Sequence, residues 1–377
     1  MKLHYPGNFH ALPPHPALRY VRDCVGRAPR PILNVHTRMA LLESGPHLFP
    51  VSVNDGGEHP ENCYVVSPLT AYTGYANDEL RRLDHPWAAG PLRRLVRGVE
   101  GLLEAARIDR IAQVNNWLLS TNLYPPGWDG AELPALTALL CAEFPDRAFG
   151  FRSLNGHANA DLLRRLRRLG YETVPSRQVY LFDGRAGPDA AFLKRHNCRI
   201  DADLLARSPY RLVRGPELAG ADFARIEHLY NLLYREKYCR LNPHYSAGWL
   251  HCGQRDGWLE LTALRGASGR IDGAVGWFAT AATLSAPIVG YDTALPQKAG
   301  LYRQLTQLCL QEAVRRRIVL NFSSGAAHFK RLRGGQPAIE YSMVHTRHLP
   351  LGQRAAWRVL GTLLRGIAIP LMRQLKL

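Results

Sequence analysis

A turn cluster, Asp183-Gly-Arg-Ala-Gly-Pro188, breaks the chain near its midpoint, and the pattern that precedes it restarts after it. At 377 residues the chain exceeds one ordinary hydrophobic core, so the seam reads as a domain boundary. The expected units are an N-terminal arm over 1–30, a first domain over 31–183, a connector over 184–209, a second domain over 210–350 and a tail over 351–377. The fold class is α+β, with a mixed central sheet in each of two tandem domains and a basic amphipathic helix at the C-terminus.

Both domains alternate strands and helices. In the first, two apolar runs over 38–54 flank a Ser-Gly-Pro turn, a hairpin signal. Helical spacing over 91–106 precedes a strand at 111–121, a Tyr-Pro-Pro-Gly breaker and a helix at 133–144. A strand at 147–154, a basic amphipathic helix at 160–169 and a strand at 177–182 complete it. The second domain opens with a helix over 222–238, begun by the capping Asp222 and carrying Ile226, Leu229, Leu233 and Tyr234 on one face. Strands at 259–264, 274–281 and 286–291 lead to a helix at 301–316, then strands at 319–323 and 339–345. No residue-level repeat links the halves, so duplication is read from architecture alone.

Charge is unevenly placed. From Pro296 to Leu377 there are fourteen Lys or Arg against Glu312 and Glu340, so +12 of the net +17 falls in that segment. Such asymmetry points to an anionic partner on the C-terminal part. No apolar run is long enough to span a membrane, and the N-terminus has no apolar signal region. The seven cysteines are scattered without a CxxC pair. Free thiols in a reducing cytoplasm are therefore expected, with no disulfide frame and no metal site.

Three clusters carry chemistry. In "GYDTALPQKAGLYRQL" a strand runs through Gln297-Lys298-Ala299-Gly300 into a helix. Free N–H groups, the helix dipole and Lys298 there favour an anion. In "LNFSSGAAHFKRLRGGQPAIEY" Ser323, Ser324 and Gly325 precede Lys330, Arg331 and Arg333, cations that would meet phosphates. In "LYREKYCRLNPHYS" Tyr234, Lys237, Tyr238, Asn242, His244 and Tyr245 crowd the end of a helix. His244 is a candidate general base.

The order of helix, three antiparallel strands, glycine turn and helix over about 210–350 resembles the Gcn5-related N-acetyltransferase (GNAT) superfamily. Its Q/R-x-x-G-x-G/A turn matches at Gln297 and Gly300, but Tyr302 stands where a second small residue belongs. That departure weighs against ordinary acetyl-CoA use. "HFKRLRGG" resembles the F-K-R-x-x-G segment of Fem-type, aminoacyl-tRNA-dependent transferases, which use two such domains in tandem. The resemblance implies donor contacts from Gln297, Lys298, Gly300, Tyr302, Arg303, Ser323, Ser324, Lys330, Arg331 and Arg333. It implies an acceptor pocket at Tyr234, Lys237, Tyr238, Asn242 and Tyr245, with Tyr291, Asp292 and His244 near the chemistry. The first half has the fainter likeness, without a phosphate turn.

The implied function is transfer of an acyl or aminoacyl group from an activated anionic donor to a small amine acceptor in biosynthesis, with no tightly bound cofactor. Aminoacyl-tRNA is the favoured donor, acyl-CoA or acyl carrier protein the alternative. A non-catalytic RNA- or membrane-binding module on a decayed GNAT fold is the reading from another class. Over 353–377, Arg354, Arg358, Arg365, Arg373 and Lys376 lie opposite Trp357, Leu360, Leu364, Ile367, Leu371 and Leu375, a helix that docks on its own core, on RNA or on an anionic membrane. Walker, nucleophile-elbow, HExxH and Rossmann motifs are absent from the sequence.

Overall fold

Apolar runs bounded by turn residues become strands. Ile271–Ala279 (β9) and Thr283–Tyr291 (β10) are buried on both faces for most of their length, because helices cover the sheet on either side. The computed structural model describes residues 1–26, 30–56, 59, 61–81 and 86–370. The first half contributes β1 (Lys2–His4), β2 (Arg38–Ser44), β3 (His47–Val53), β4 (Ile111–Val114), β5 (Ala148–Asn155) and β6 (Glu172–Asp183). The second contributes β7 (Arg211–Arg214), β8 (Glu260–Arg265), β9, β10, β11 (Val319–Asn321) and β12 (Gln336–His345).

These strands form one 12-stranded sheet in the order β1-β2-β3-β4-β5-β12-β6-β11-β10-β9-β8-β7. Its pairings are antiparallel except for β4 with β5 and β10 with β11. Read from either edge, the sequence of orientations is the same. Each half therefore repeats one topology, and the two meet at β12 and β6. The repeat has a twist: β12 of the second half sits between β5 and β6, while β6 of the first half sits between β12 and β11. The last strands are exchanged. The segments 31–183 and 210–350 thus do not close as separate sheets, which corrects the boundary expected at the turn cluster.

Helices follow the same repeat. The first half carries α1 (Pro16–Arg19), α2 (Tyr75–Arg81), α3 (Pro86–Ala105), α4 (Leu133–Glu143), α5 (Ala160–Arg168) and α6 (His196–Ala206). The second carries α7 (Gly220–Asn231), α8 (Ala247–Asp256), α9 (Leu301–Arg316), α10 (Ala327–Leu332) and α11 (Leu351–Leu363). α4 follows β4 as α9 follows β10, and α6 follows β6 as α11 follows β12. One face of the sheet holds a core common to both halves, with Leu41, Trp117, Ile226, Trp249 and Ile288 in one cluster. The other face holds two cores. One is built from Phe49, Leu136, Phe149 and Leu163, the other from Phe182, Val289, Leu305 and Leu320.

Several local expectations change. The N-terminal arm is part of the fold: β1 pairs with β2, and Leu18, Tyr20 and Val21 are buried. The strand expected over 111–121 stops at Val114, because Asn115 and Leu118 take φ of 56° and 54°. The helix expected over 222–238 is α-helical only to Asn231, and Leu232–Tyr238 continues as a π-helix. The helix starts at Gly220, and Asp222 is its third residue rather than its N-cap, reaching back to accept from the Ala219 amide at 2.9 Å. Among the described residues Cys63, Cys141, Cys198 and Cys309 are free thiols, but Cys252 is disulfide-bonded, against the expectation of thiols throughout.

The tail turns its apolar stripe inward. Trp357 and Leu360 of α11 share a core cluster with Leu103 and Val344, and Arg358 pairs with Glu172 at 2.9 Å. Trp357, Leu360 and Leu364 of that stripe are therefore used by the protein's own core, while Ile367 is exposed. Leu371, Arg373, Leu375 and Lys376 lie outside the described residues. Among the described residues no helix is long and apolar enough to cross a membrane.

At the exchange, Arg177 of β6 pairs with Glu340 of β12 at 2.8 Å, and Glu340 is 1% exposed. Asn321 Nδ2 of β11 donates to the same carboxylate at 3.1 Å. Replacing Arg177 by Ala leaves that carboxylate buried without its counter-ion, an expected loss of about 3–5 kcal/mol in denaturant unfolding. Arg211→Ala, which breaks the exposed pair with Glu217, is the control and costs less than about 1 kcal/mol.

Candidate functional site

The second half opens a gap in its own sheet. β10 and β11 pair only from Thr283 to Ser285 and from Val319 to Asn321. Beyond Ser285 the register of β10 against β9 shifts by way of Ala286-Pro287, and β10 leaves β11. Past that point β10 runs on to Tyr291 with no parallel partner among the described residues.

β10 delivers the chain into the glycine turn. Gln297–Ala299 form one 3-10 turn, Gly300 takes φ 63° as the N-cap, and α9 begins at Leu301. A side chain at Gly300 would also lie 2.6 Å from Leu204. The first helical bond is Gln304 N to Gly300 O at 3.0 Å. The amides of Leu301 to Arg303 thus open the helix toward an anion. Gln297 and Lys298 are exposed beside them.

The turn has an aromatic wall. The Tyr302 ring lies 6.0 Å from that of Tyr291 and 4.9 Å from that of Phe329. Phe329 belongs to the cation-rich segment, so the two donor segments read from the sequence meet here. Tyr234 and Tyr238 are near enough to Tyr302 that, after burial, they push its hydroxyl further above the ordinary tyrosine range. Tyr234 and Tyr238 lie 6.0 Å apart, centroid to centroid. Donor and acceptor tyrosines therefore form one cluster.

The cations beside it face inward, which corrects the phosphate contacts expected from them. Lys330 is buried and its Nζ donates to the carbonyls of Phe322, Ser323 and Ser324 at 2.6, 3.2 and 2.8 Å. Left-handed φ at Ser323, Gly325 and Ala326 (56°, 77° and 47°) accompanies this wrap of chain around the ammonium. Ser323 and Ser324 thus supply main-chain acceptors to Lys330. Arg331 donates to the Tyr180 hydroxyl at 2.8 Å. Arg333 lies over the Phe329 ring at 3.4 Å and donates to Asp201 at 2.6 Å, while Arg303 donates to the other oxygen of Asp201 at 2.6 Å. Asp201 of α6 therefore locks α9 to the segment after β11.

The residues expected nearest the chemistry are mostly engaged elsewhere. Asp292 is buried and takes Arg225 at 2.6 Å and Arg270 at 3.0 Å. Burial opposes its charge, but hydrogen bonds from Arg225 and Ala294 and the charges of Arg225 and Arg270 hold it below the usual carboxylate range. A carboxylate so held is a poor base at neutral pH. His244 Nε2 lies 3.2 Å from Asn231 Nδ2, and burial with Arg235 nearby lowers its pKa, keeping the ring neutral. Tyr245 belongs to the core, stacked at 4.1 Å on Trp249 with its hydroxyl on Leu118 O at 2.9 Å. Asn242 closes the π-helix by donating to Tyr234 O and Cys239 O at 2.9 Å each. Lys237 is exposed.

A polar seam that no sequence motif announces lies where the halves meet. Arg177, besides Glu340, donates to Thr121 Oγ1 at 2.7 Å. Arg152 donates to Val65 O at 2.9 Å and Asn116 Oδ1 at 3.1 Å, and among the described residues it is in no ion pair. Arg152 follows the apolar Ala-Phe-Gly-Phe of β5, whereas β6 around Arg177 also carries Glu172, Ser176 and Gln178, so no local contrast marks Arg177.

The repeated strand order defines the class: a tandem α+β protein whose two halves share one topology and exchange their last strands. No family model matches the chain, and no curated protein matches it. Among solved structures it is similar to the C-terminal domain of a putative lysylphosphatidylglycerol synthetase from Agrobacterium fabrum, with TM-score 0.47 and 11% identity over 93% of this chain and 92% of that one. It is similar to FemX, with TM-score 0.48 and 7% identity over 81% and 87% of the two chains. A tandem GNAT protein from the clavulanic acid biosynthesis pathway gives TM-score 0.38 and 12% identity over 90% and 89%. At these scores none of them carries an argument about function.

Burial and then the nearby Arg177 pull Lys330 down from 10.5 to about 7. The folded protein then binds fewer protons than the unfolded chain between pH 7 and 10.5, so this site's contribution to stability rises with pH across that window. Unfolding free energies of wild type and Lys330→Met measured from pH 7 to 10 should diverge, with wild type gaining on the variant as the pH rises.

Proposed function

We propose that the chain transfers an acyl or aminoacyl group from an activated anionic donor to an amine. The observation that carries this is the gap between β10 and β11, which leads through the left-handed Gly300 into the open N-terminus of α9. Donor phosphates lie on the α9 amides beside Lys298. The acyl carbonyl lies in the gap, where β10 amides without a β11 partner stabilise the oxyanion formed by amine attack. The rest is positioning. Burial keeps the Tyr234 and Tyr302 hydroxyls protonated well beyond neutral pH. They are suited to donate a proton to the leaving thiolate or ribose hydroxyl, not to accept one from the amine.

Aminoacyl-tRNA remains the favoured donor, supported now by exposed Lys298, Arg317 and Arg347 and no longer by residues 330–333. Acyl-CoA or acyl carrier protein is the second reading, favoured by the single exposed cation in the glycine turn, which suits one pyrophosphate or phosphopantetheine. A small amine is the acceptor, facing Tyr234 and Tyr238.

Total charged tRNA and an acyl-CoA are titrated separately at several salt concentrations, with wild type and Lys298→Ala. Saturable tRNA binding that weakens with salt, with a log–log slope reduced by about one in the variant, supports aminoacyl transfer. Acyl-CoA binding alone, weakened in the variant, moves the donor to the thioester. Binding of either donor unaffected by Lys298→Ala removes α9 as the phosphate site.

A further inference from the structure

The first half gathers three ligating side chains that the sequence keeps far apart. Cys141 lies on α4, His345 ends β12, and His348 lies in the turn after it. The scattered cysteines gave no expectation of a metal, yet folding brings Cys141 to His345 across 204 positions. One ligand atom from each of the three lies within 4.8 Å of the others. Cys141 Sγ is 3.9 Å from His345 Nδ1.

His348 is oriented for this. Its Nε2 is 3.1 Å from Phe144 O and 3.0 Å from Arg147 O. Both partners are acceptors, so Nε2 carries the proton and donates. The lone pair then falls on Nδ1, which is buried without a hydrogen-bond partner. An imidazole tied through its far N–H to main-chain carbonyls, with its bare nitrogen beside a second imidazole and a thiol, has the arrangement of a metal ligand. Phe149 fixes both rings, stacking at 4.9 Å on His345 and 5.3 Å on His348, and the two imidazoles are within 12° of parallel.

We propose that Cys141, His345 and His348 form a binding site for a divalent transition metal of the zinc class. One thiolate and two imidazoles suit a borderline-soft ion, and the absence of oxygen ligands among the three argues against calcium or magnesium. Metal–ligand bonds of about 2.0–2.3 Å place tetrahedral ligands roughly 3.5 Å apart, so sub-ångström movements of each side chain close the site. Half-exposed Cys141 gives the ion its entry path and leaves the fourth position to water. On binding, the thiol releases its proton to solvent as the sulfur–metal bond forms. The ion would clasp α4 to the end of β12, the strand the second half lends to the first.

The full-length chain, stripped with a chelator, is titrated with cobalt(II). One equivalent should bind with a near-ultraviolet sulfur-to-cobalt band, and added zinc should bleach it. Cys141→Ser should lose the band while keeping its circular dichroism. His348→Gln, which keeps a donor for the two carbonyls, should weaken binding beyond the roughly 10- to 100-fold that loss of a partner behind a ligand costs. No sulfur band in wild type, or an unchanged band in Cys141→Ser, overturns the proposal. Zinc should also raise the melting temperature of wild type more than that of His348→Gln. Equal shifts, or none in wild type, overturn it even if Cys141→Ser does not fold.

Discussion

The antiparallel pairing of β6 with β12 is the contact on which the rest depends. Each half ends in a strand that its own sheet does not complete, and each completes the other. The ladder between them runs from Gln336–Leu181 to Val344–Glu172. It places Arg177 against Glu340 in the middle of the sheet, where the charge of one strand is paired with that of the other. Removing either strand would expose two sheet edges and strand a buried ion. The common core on one face adds to this coupling, with Trp117 of the first half 5.0 Å from Phe278 of the second.

The same economy governs the cations near the candidate donor site. A buried lysine needs acceptors, and the left-handed turn after β11 presents three carbonyls to Lys330. Two arginines that would repel each other share Asp201 instead. These bonds hold α9, α10 and α6 in fixed relation and keep the aromatic wall of Tyr291, Tyr302 and Phe329 beside the glycine turn. The charge that the sequence concentrates between 330 and 333 is thus used to build the site's frame. Lys298 stays exposed beside the first amides of α9.

Much of the second half was legible because its signals are local. Apolar runs mark β8 to β10, and Gly300 marks the start of α9. The glycine turn and the cation segment are neighbours through Tyr302 and Phe329. Other features were hidden because they depend on pairing across the chain. Nothing local says that β12 pairs with β5 rather than β11, or that Lys330 points at carbonyls. Asp292 looked like a catalytic carboxylate because Arg225 and Arg270 are distant in sequence. Tyr245 looked like a pocket residue because its partner, Leu118 O, lies in the other half. Cys141 and His348 looked like isolated residues for the same reason.

Strand exchange predicts that the two halves open as one cooperative body. Native-state hydrogen exchange across a series of low denaturant concentrations tests it most directly. The amides of β3, β5, β9 and β10 should all merge with those of β6 and β12 into a single opening with one free energy and one denaturant slope. If β9 and β10 open at lower free energy while β3 and β5 stay protected, the halves fold separately and the exchange is not what holds the molecule together.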